Sequence, residues 1–351
     1  MNKRILEWGS YMGNIMDYVR GYGKSSFQDK KFTIVDSLIL SVLVYVKYEK
    51  ILNMDGKGIN GITLLEAREH MIGESWYSNL HFQQMAYELF TTASQTRRYG
   101  SIRLFCYEEI YHTQQEIQFA AITFALEDGS LFLAFRGTDD SLVGWKEDFN
   151  MGYLHPIPSQ HIGIRYLEAV ARVTRGPIRI AGHSKGGNIA TYVAIHANEA
   201  IQKRIVRVYS HDPPGFSANI FRQEGYMRIE GRMHKVIPSS SLIGLLLQQN
   251  REYLIIRSNG NGLFQHDPFT WEIEEGKFVR ERGVRAKTRM TAMVLNRWLF
   301  TMTHQQREKM VNHIYDKINK MEFESMDEVI QYCEGYLSNK YGIGKNADSQ
   351  K

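Results

Sequence analysis

The chain has 351 residues, 43% of them hydrophobic and 23% charged, a balance that supports a sizeable core and excludes wholesale disorder. Its 43 Lys and Arg against 38 Asp and Glu give a net charge of +5 that is spread along the sequence. No dense basic block marks a nucleic-acid footprint, so nucleic acid is not expected as a partner.

Residues 1–85 read mainly as a helical N-terminal extension packed on the core. The opening "MNKRILEWGSYMGNIMDYVRG" lacks the apolar stretch and cleavage site of a secretory signal. The most apolar run, "IVDSLILSVLVYVKY", is shorter than the roughly 20 apolar residues of a spanning helix. It carries Asp36, which can cap it, and reads as a buried helix. "TLLEAREHM" from Thr63 is a further helix behind a Thr cap. Cys106 and Cys333 stand far apart with no metal or redox spacing, which favours a reducing compartment. The expected location is the cytoplasm.

Between 86 and 275 the texture changes. "EIQFAAITFAL" and "GSLFLAFRG" read as strands joined at Asp128-Gly129, a hairpin signal. "HIGIRYLEAVARVTRG" is an amphipathic helix, "PIRIAGHS" a strand and "GGNIATYVAIHANEAI" a helix. "RIVRVYSHDPPGF" and "EYLIIRSNG" add two more strands. Strands alternating with helices imply an α/β fold, a mostly parallel sheet with helices on both faces. From 276 to 351 the chain turns helical and charged, a C-terminal region able to cap the core. Leu295, Trp298, Leu299 and Met302 form an amphipathic stripe there.

"IRIAGHSKGGNIATYVAI" places Ser184 between Gly182 and Gly186 at a strand-to-helix turn. A serine hydroxyl needs a base, a carboxylate behind the base, and a backbone that projects it toward oxyanion donors. A tight elbow flanked by small residues meets the last requirement, with the Lys185 N–H opening the helix as one donor. The other reading is a plain glycine turn. Between Ser184 and His266 the only aspartate is Asp212, at the end of "RIVRVYS", where open α/β sheets place their sites. It reads as the acid or as a turn-former in "HDPPG". His266, in the loop "GNGLFQHDPF", reads as the base or as an exposed loop histidine. His183 and His211 adjoin triad candidates, which points their side chains elsewhere. Gly137-Thr138, after an apolar strand, supplies the second oxyanion donor, and Asp148 is placed to hold that loop. No metal cluster, phosphate loop or nucleotide fingerprint is present, so no metal or cofactor is expected.

"FRGTDDSLVGWKEDFN", "AGHSKGGNIATYVA", "DPPGF", "PSSSLIGLLL" and "QHDPFTWE" together resemble a bacterial family of class 3 lipase-like proteins within the α/β-hydrolase fold. The resemblance covers most of the chain. It implies Ser184 as nucleophile, His266 as base and Thr138 with Lys185 as the oxyanion hole. Class 3 lipases carry the acid where Ser239, Ser240 and Ser241 stand here, so Asp212 would act from the preceding strand's end. They also carry Leu where this chain has Lys185, whose cation near the acyl pocket would favour a polar or anionic substrate.

Two functions follow. One is a carboxylic ester hydrolase acting on a small-molecule or lipid ester, with Leu242 to Leu247 lining an acyl pocket or serving as plain core. The other is a non-catalytic scaffold that binds a protein or makes peripheral membrane contact through its helical ends. Thioesterase or peptidase activity on the same triad is a third, closely related option, and fold alone does not choose among these.

Overall fold

The protein is described by a computed structural model over residues 13–52, 61–72, 81–139, 141–217, 219–247, 252–320 and 335. Cys333 and the polar C-terminal stretch lie outside these residues. The helices α1 (Ile15–Tyr22) and α2 (Ile34–Leu43) precede a two-residue strand β1 (Ile62–Thr63), α3 (Leu64–Met71) and α4 (His81–Ser94). Thr63 caps α3, with Glu66 reaching back to the cap. In α2 the cap is Thr33 and not Asp36, which sits at the third helical position of the same reciprocal motif. Asp36 has further partners. The buried Arg98 guanidinium donates to it from Nε and from its terminal nitrogen, each at 2.7 Å, and Tyr99 adds a hydroxyl at 2.6 Å. Both charged side chains are fully buried, so the pair is viable only because every lone pair is engaged.

Next come β2 (Arg103–His112), β3 (Ile117–Ala125) and β4 (Leu131–Phe135), then α5 (Leu142–Asn150) and α6 (Pro158–Val173). They are followed by β5 (Ile178–His183), α7 (Lys185–His196), α8 (Glu199–Arg204), β6 (Ile205–His211), α9 (Glu224–Ile229), β7 (Met233–Pro238) and β8 (Leu254–Ile256). A small hairpin, β9 (Ile273–Glu274) and β10 (Lys277–Phe278), leads to α10 (Ala286–Thr301) and α11 (His304–Lys320). Residue 86 lies inside α4, and residue 276 in the hairpin turn.

Strands β1 to β8 lie side by side in sequence order. Pairing is antiparallel up to β4 and parallel from β4 to β8. This is an α/β fold, a mostly parallel sheet with helices on both faces. The Asp128-Gly129 turn closes β3 on β4 with Gly129 at φ +77°, where only glycine sits without strain. The segment read as one helix from 186 to 201 is two, because Asn198 caps a fresh start at α8.

Parallel strands in sequence order with right-handed crossovers place every crossover helix on one face. Accordingly Leu131, Leu133 and Phe135 pack with Ile162 and Tyr166 of α6 and Ile189 and Val193 of α7. The alternate residues Phe132 and Ala134 face the other way, into Leu38, Leu43, Leu89 and Phe90 of α2 and α4. The helices before residue 95 therefore supply most of the second layer, and Phe269, Trp271, Ile273 and Phe278 join them in the same cluster.

Candidate active site

Ser184 ends β5 with φ +58° and ψ −131°, a conformation that costs about 1–3 kcal/mol for a residue with a Cβ. Three things hold it there. Its N–H donates to the His211 carbonyl on β6 at 2.9 Å. A Cβ on Gly182 would lie 2.2 Å from the Gly186 carbonyl carbon, and one on Gly186 2.0 Å from the Phe135 oxygen. Only glycine at both positions lets β5, β4 and the start of α7 approach this closely. The Ser184 side chain makes no cap hydrogen bond to α7 and is half-buried.

Asp212 follows β6 with φ +47°, its N–H on the Val236 carbonyl at 2.7 Å. Its carboxylate is fully buried. Oδ2 accepts the Ser241 hydroxyl at 2.5 Å and meets His266 Nδ1 at 2.6 Å. Asp212 and His266 are thus brought together. Ser241, one of the three serines standing where a carboxylate was sought, is instead the acid's second support. Gly244 leaves the room, since a Cβ there would sit 2.2 Å from Asp212 Oδ1. Nearby, burial pushes the Lys235 amine down to about 7, opposed by the Asp212 charge, while Nζ donates to the Gly244 carbonyl at 2.8 Å.

The loop carrying His266 is anchored at several points. Trp271 Nε1 donates to the Gln265 carbonyl at 2.9 Å, and the Gln265 side chain accepts from Ser240 N at 2.9 Å. His183 Nε2 donates to the His266 carbonyl at 2.8 Å, with the two rings 4.6 Å apart. Because Ser184 is the next residue, this contact sets the His266 loop against the elbow. Burial lowers the His183 pKa well below the imidazole range and that of His211 to about 3, so both rings are neutral. His211 Nε2 pairs with Ser37 Oγ on α2 at 2.9 Å.

Gly137 packs against the elbow, its missing Cβ only 3.1 Å from that of Ser184 and close to the Tyr45 hydroxyl. Thr138 follows, and its hydroxyl bonds to Asp148 Oδ2. Lys185 opens α7, so its N–H is among the unpaired amides at a helix N-terminus. Its side chain corrects one expectation. Nζ is fully buried against Glu147 at 3.0 Å and Gln118 Oε1 at 2.7 Å, so this cation does not reach a substrate. Leu247 is likewise core, packed with Met151 and Ile157.

Burial pushes Asp148 up to about 6, against the opposing effects of Lys185 and the Thr138 hydroxyl, and its Oδ1 has no partner. The folded state therefore binds the proton more tightly than the unfolded one. Stability contributed by this group is greatest at low pH and falls as pH rises through about 6. Relative to Asp148→Asn, wild type is expected to lose roughly 1–3 kcal/mol between pH 4 and 7. Urea midpoints of the two proteins measured across that range check this, and parallel curves would refute it.

Among the described residues, no group of three or more His, Cys, Asp or Glu is placed to hold a metal ion. None of their helices is long and apolar enough to cross a membrane.

No curated protein matches the chain in sequence. Among solved structures it is similar to the M37 lipase at 12% identity, with a TM-score of 0.39 over 61% of this chain and 70% of that one. The Rhizomucor miehei lipase propeptide complex is similar at 13% identity and TM-score 0.39, over 68% and 76% of the two chains. A triacylglycerol lipase from Penicillium expansum follows at 9% and 0.31, over 52% and 82%. Likenesses this distant leave the reading of the site to its own geometry. Residues 93–316, well over half of the sequence, match the Mbeg1-like family model, and the chain belongs to that family.

Proposed function

We propose that the protein is a serine hydrolase of class 3 lipase type, cleaving a carboxylic ester through an acyl-enzyme on Ser184. The observation that carries this reading is the buried Asp212 carboxylate on His266 Nδ1, with the His266 carbonyl held by His183, the residue before a serine in a strained elbow. With Nδ1 committed, Nε2 is left as the base. It takes the Ser184 proton as Oγ attacks the ester carbonyl carbon. The tetrahedral oxyanion meets the N–H groups of Lys185 and Thr138. Collapse expels the alcohol, protonated by His266, and leaves the acyl group on Ser184. Water activated by the same ring then releases the acid. The substrate is a small-molecule or lipid ester.

The scaffold reading drew on the missing carboxylate at 239–241, and the Asp212–His266 bond supports the enzyme instead. Treatment with a fluorophosphonate is expected to label wild type at Ser184 and to leave Ser184→Ala unlabelled. A folded wild type that resists both this probe and a small phosphonate returns the protein to the scaffold reading.

A further inference from the structure

Helix α10 has 16 residues and one buried side chain, Ala292. Its inner side hangs on the loop after β7. Asn296 accepts from Leu247 N at 2.7 Å and donates to the Leu245 carbonyl at 2.8 Å, and Leu299 packs near Met151 and Ile157. The outer side is unusual for a helix on a folded core. Met290 is 64% exposed and Met293 62%, with Val294 and Phe300 also exposed. From Met290 these fall at i+3, i+4 and i+10, with Arg297 at i+7, so they form one continuous stripe. Every charged residue of the helix is a cation: Lys287, Arg289 and Arg297. Arg280, Arg282 and Arg285 precede it, while Glu281, the one acid in the sequence from 276 to 301, is tied to Arg257 at 2.8 Å.

We propose that α10 docks the protein on an anionic lipid bilayer. An apolar stripe flanked by Lys287 and Arg289, with Arg297 inside it on a side chain long enough to reach the headgroups, is the pattern of a helix lying in a membrane interface. Met290, Met293, Val294 and Phe300 enter the boundary between headgroups and acyl chains, and Lys287, Arg289 and Arg297 meet the headgroup charge. Charge selects this occupant over a second copy of the chain. A two-fold contact through the stripe sets the same cations against each other. The docking does not depend on chemistry at Ser184.

Flotation of the full chain with phosphatidylcholine vesicles, with and without phosphatidylglycerol, tests the proposal. Binding is expected only with the anionic lipid and is expected to fall as salt is raised. Combining Lys287→Gln, Arg289→Gln and Arg297→Gln is expected to weaken partitioning roughly 100-fold. Met290→Ser with Met293→Ser weakens it while keeping the salt dependence. All these positions are exposed, so melting temperatures stay at the wild-type value and separate lost docking from lost fold. Absence of binding to anionic vesicles overturns the proposal. Binding indifferent to lipid charge, or to these substitutions, overturns it equally.

Discussion

Asp212→Asn is expected to lower kcat for ester hydrolysis by about 10³–10⁴-fold while the protein stays folded. The carboxylate now receives two donors on one oxygen, His266 Nδ1 and the Ser241 hydroxyl. An asparagine of the same shape offers one carbonyl for both. If its amide nitrogen turns to His266 instead, the imidazole keeps its proton on Nε2, where the base must be empty. Either arrangement removes the charge that stabilises the imidazolium formed in the transition state. Steady-state kinetics on a soluble ester, with circular dichroism as the fold control, checks this. Turnover near wild type would remove Asp212 from the proposed triad.

The largest loss of stability is expected from Lys185→Met. Nζ donates to the Gln118 carbonyl at 2.9 Å, to Gln118 Oε1 and to Glu147 Oε2, with no exposure on either charged side chain. Glu147 in turn accepts the N–H of Gln118 at 3.1 Å and that of Ser159 at 2.9 Å, tying β3, α5 and α6 beneath the elbow. Removing the cation strands a buried carboxylate, a change that costs about 3–5 kcal/mol. Adding Glu147→Gln is expected to restore part of this, because the amide oxygen still accepts one backbone N–H. Urea unfolding reads both effects, and a single variant within about 1 kcal/mol of wild type would refute the account. The variant keeps the backbone N–H at 185, so the folded fraction is expected to retain ester turnover.

Local signals explain what was readable in the sequence. Gly182, Ser184 and Gly186 sit between a β-branched run and helical spacing, and Asp128-Gly129 between two apolar runs. Both are short-range patterns with steric causes. Two strands escaped because their patterns are diluted. In β2, Glu108 and Glu109 interrupt the apolar residues at a bulge where Cys106 has φ +52°, and β7 is six residues with His234 and Lys235 inside. The break between α7 and α8 has neither glycine nor proline, and only the Asn198 side chain on Ile201 N marks it. Contacts across the sheet carry no such signal. Ser241 reaches Asp212 from 29 positions away, and Lys185 finds Glu147 from 38. The exposed stripe of α10 has no mark in the sequence for a simpler reason: its apolar residues look like core until their neighbours are known.

The family model begins at residue 93, yet Phe132, Ala134, Tyr209 and Val236 depend on α2 and α4 for their cover, and His211 on Ser37. A fragment cut to the recognised family region would present a bare apolar sheet to water and orphan a ring directly beneath the acid's strand. In this chain the quarter of the sequence before the recognised region is a condition of folding, so the unit to express, dissect or transplant runs from before α1 through the last strand.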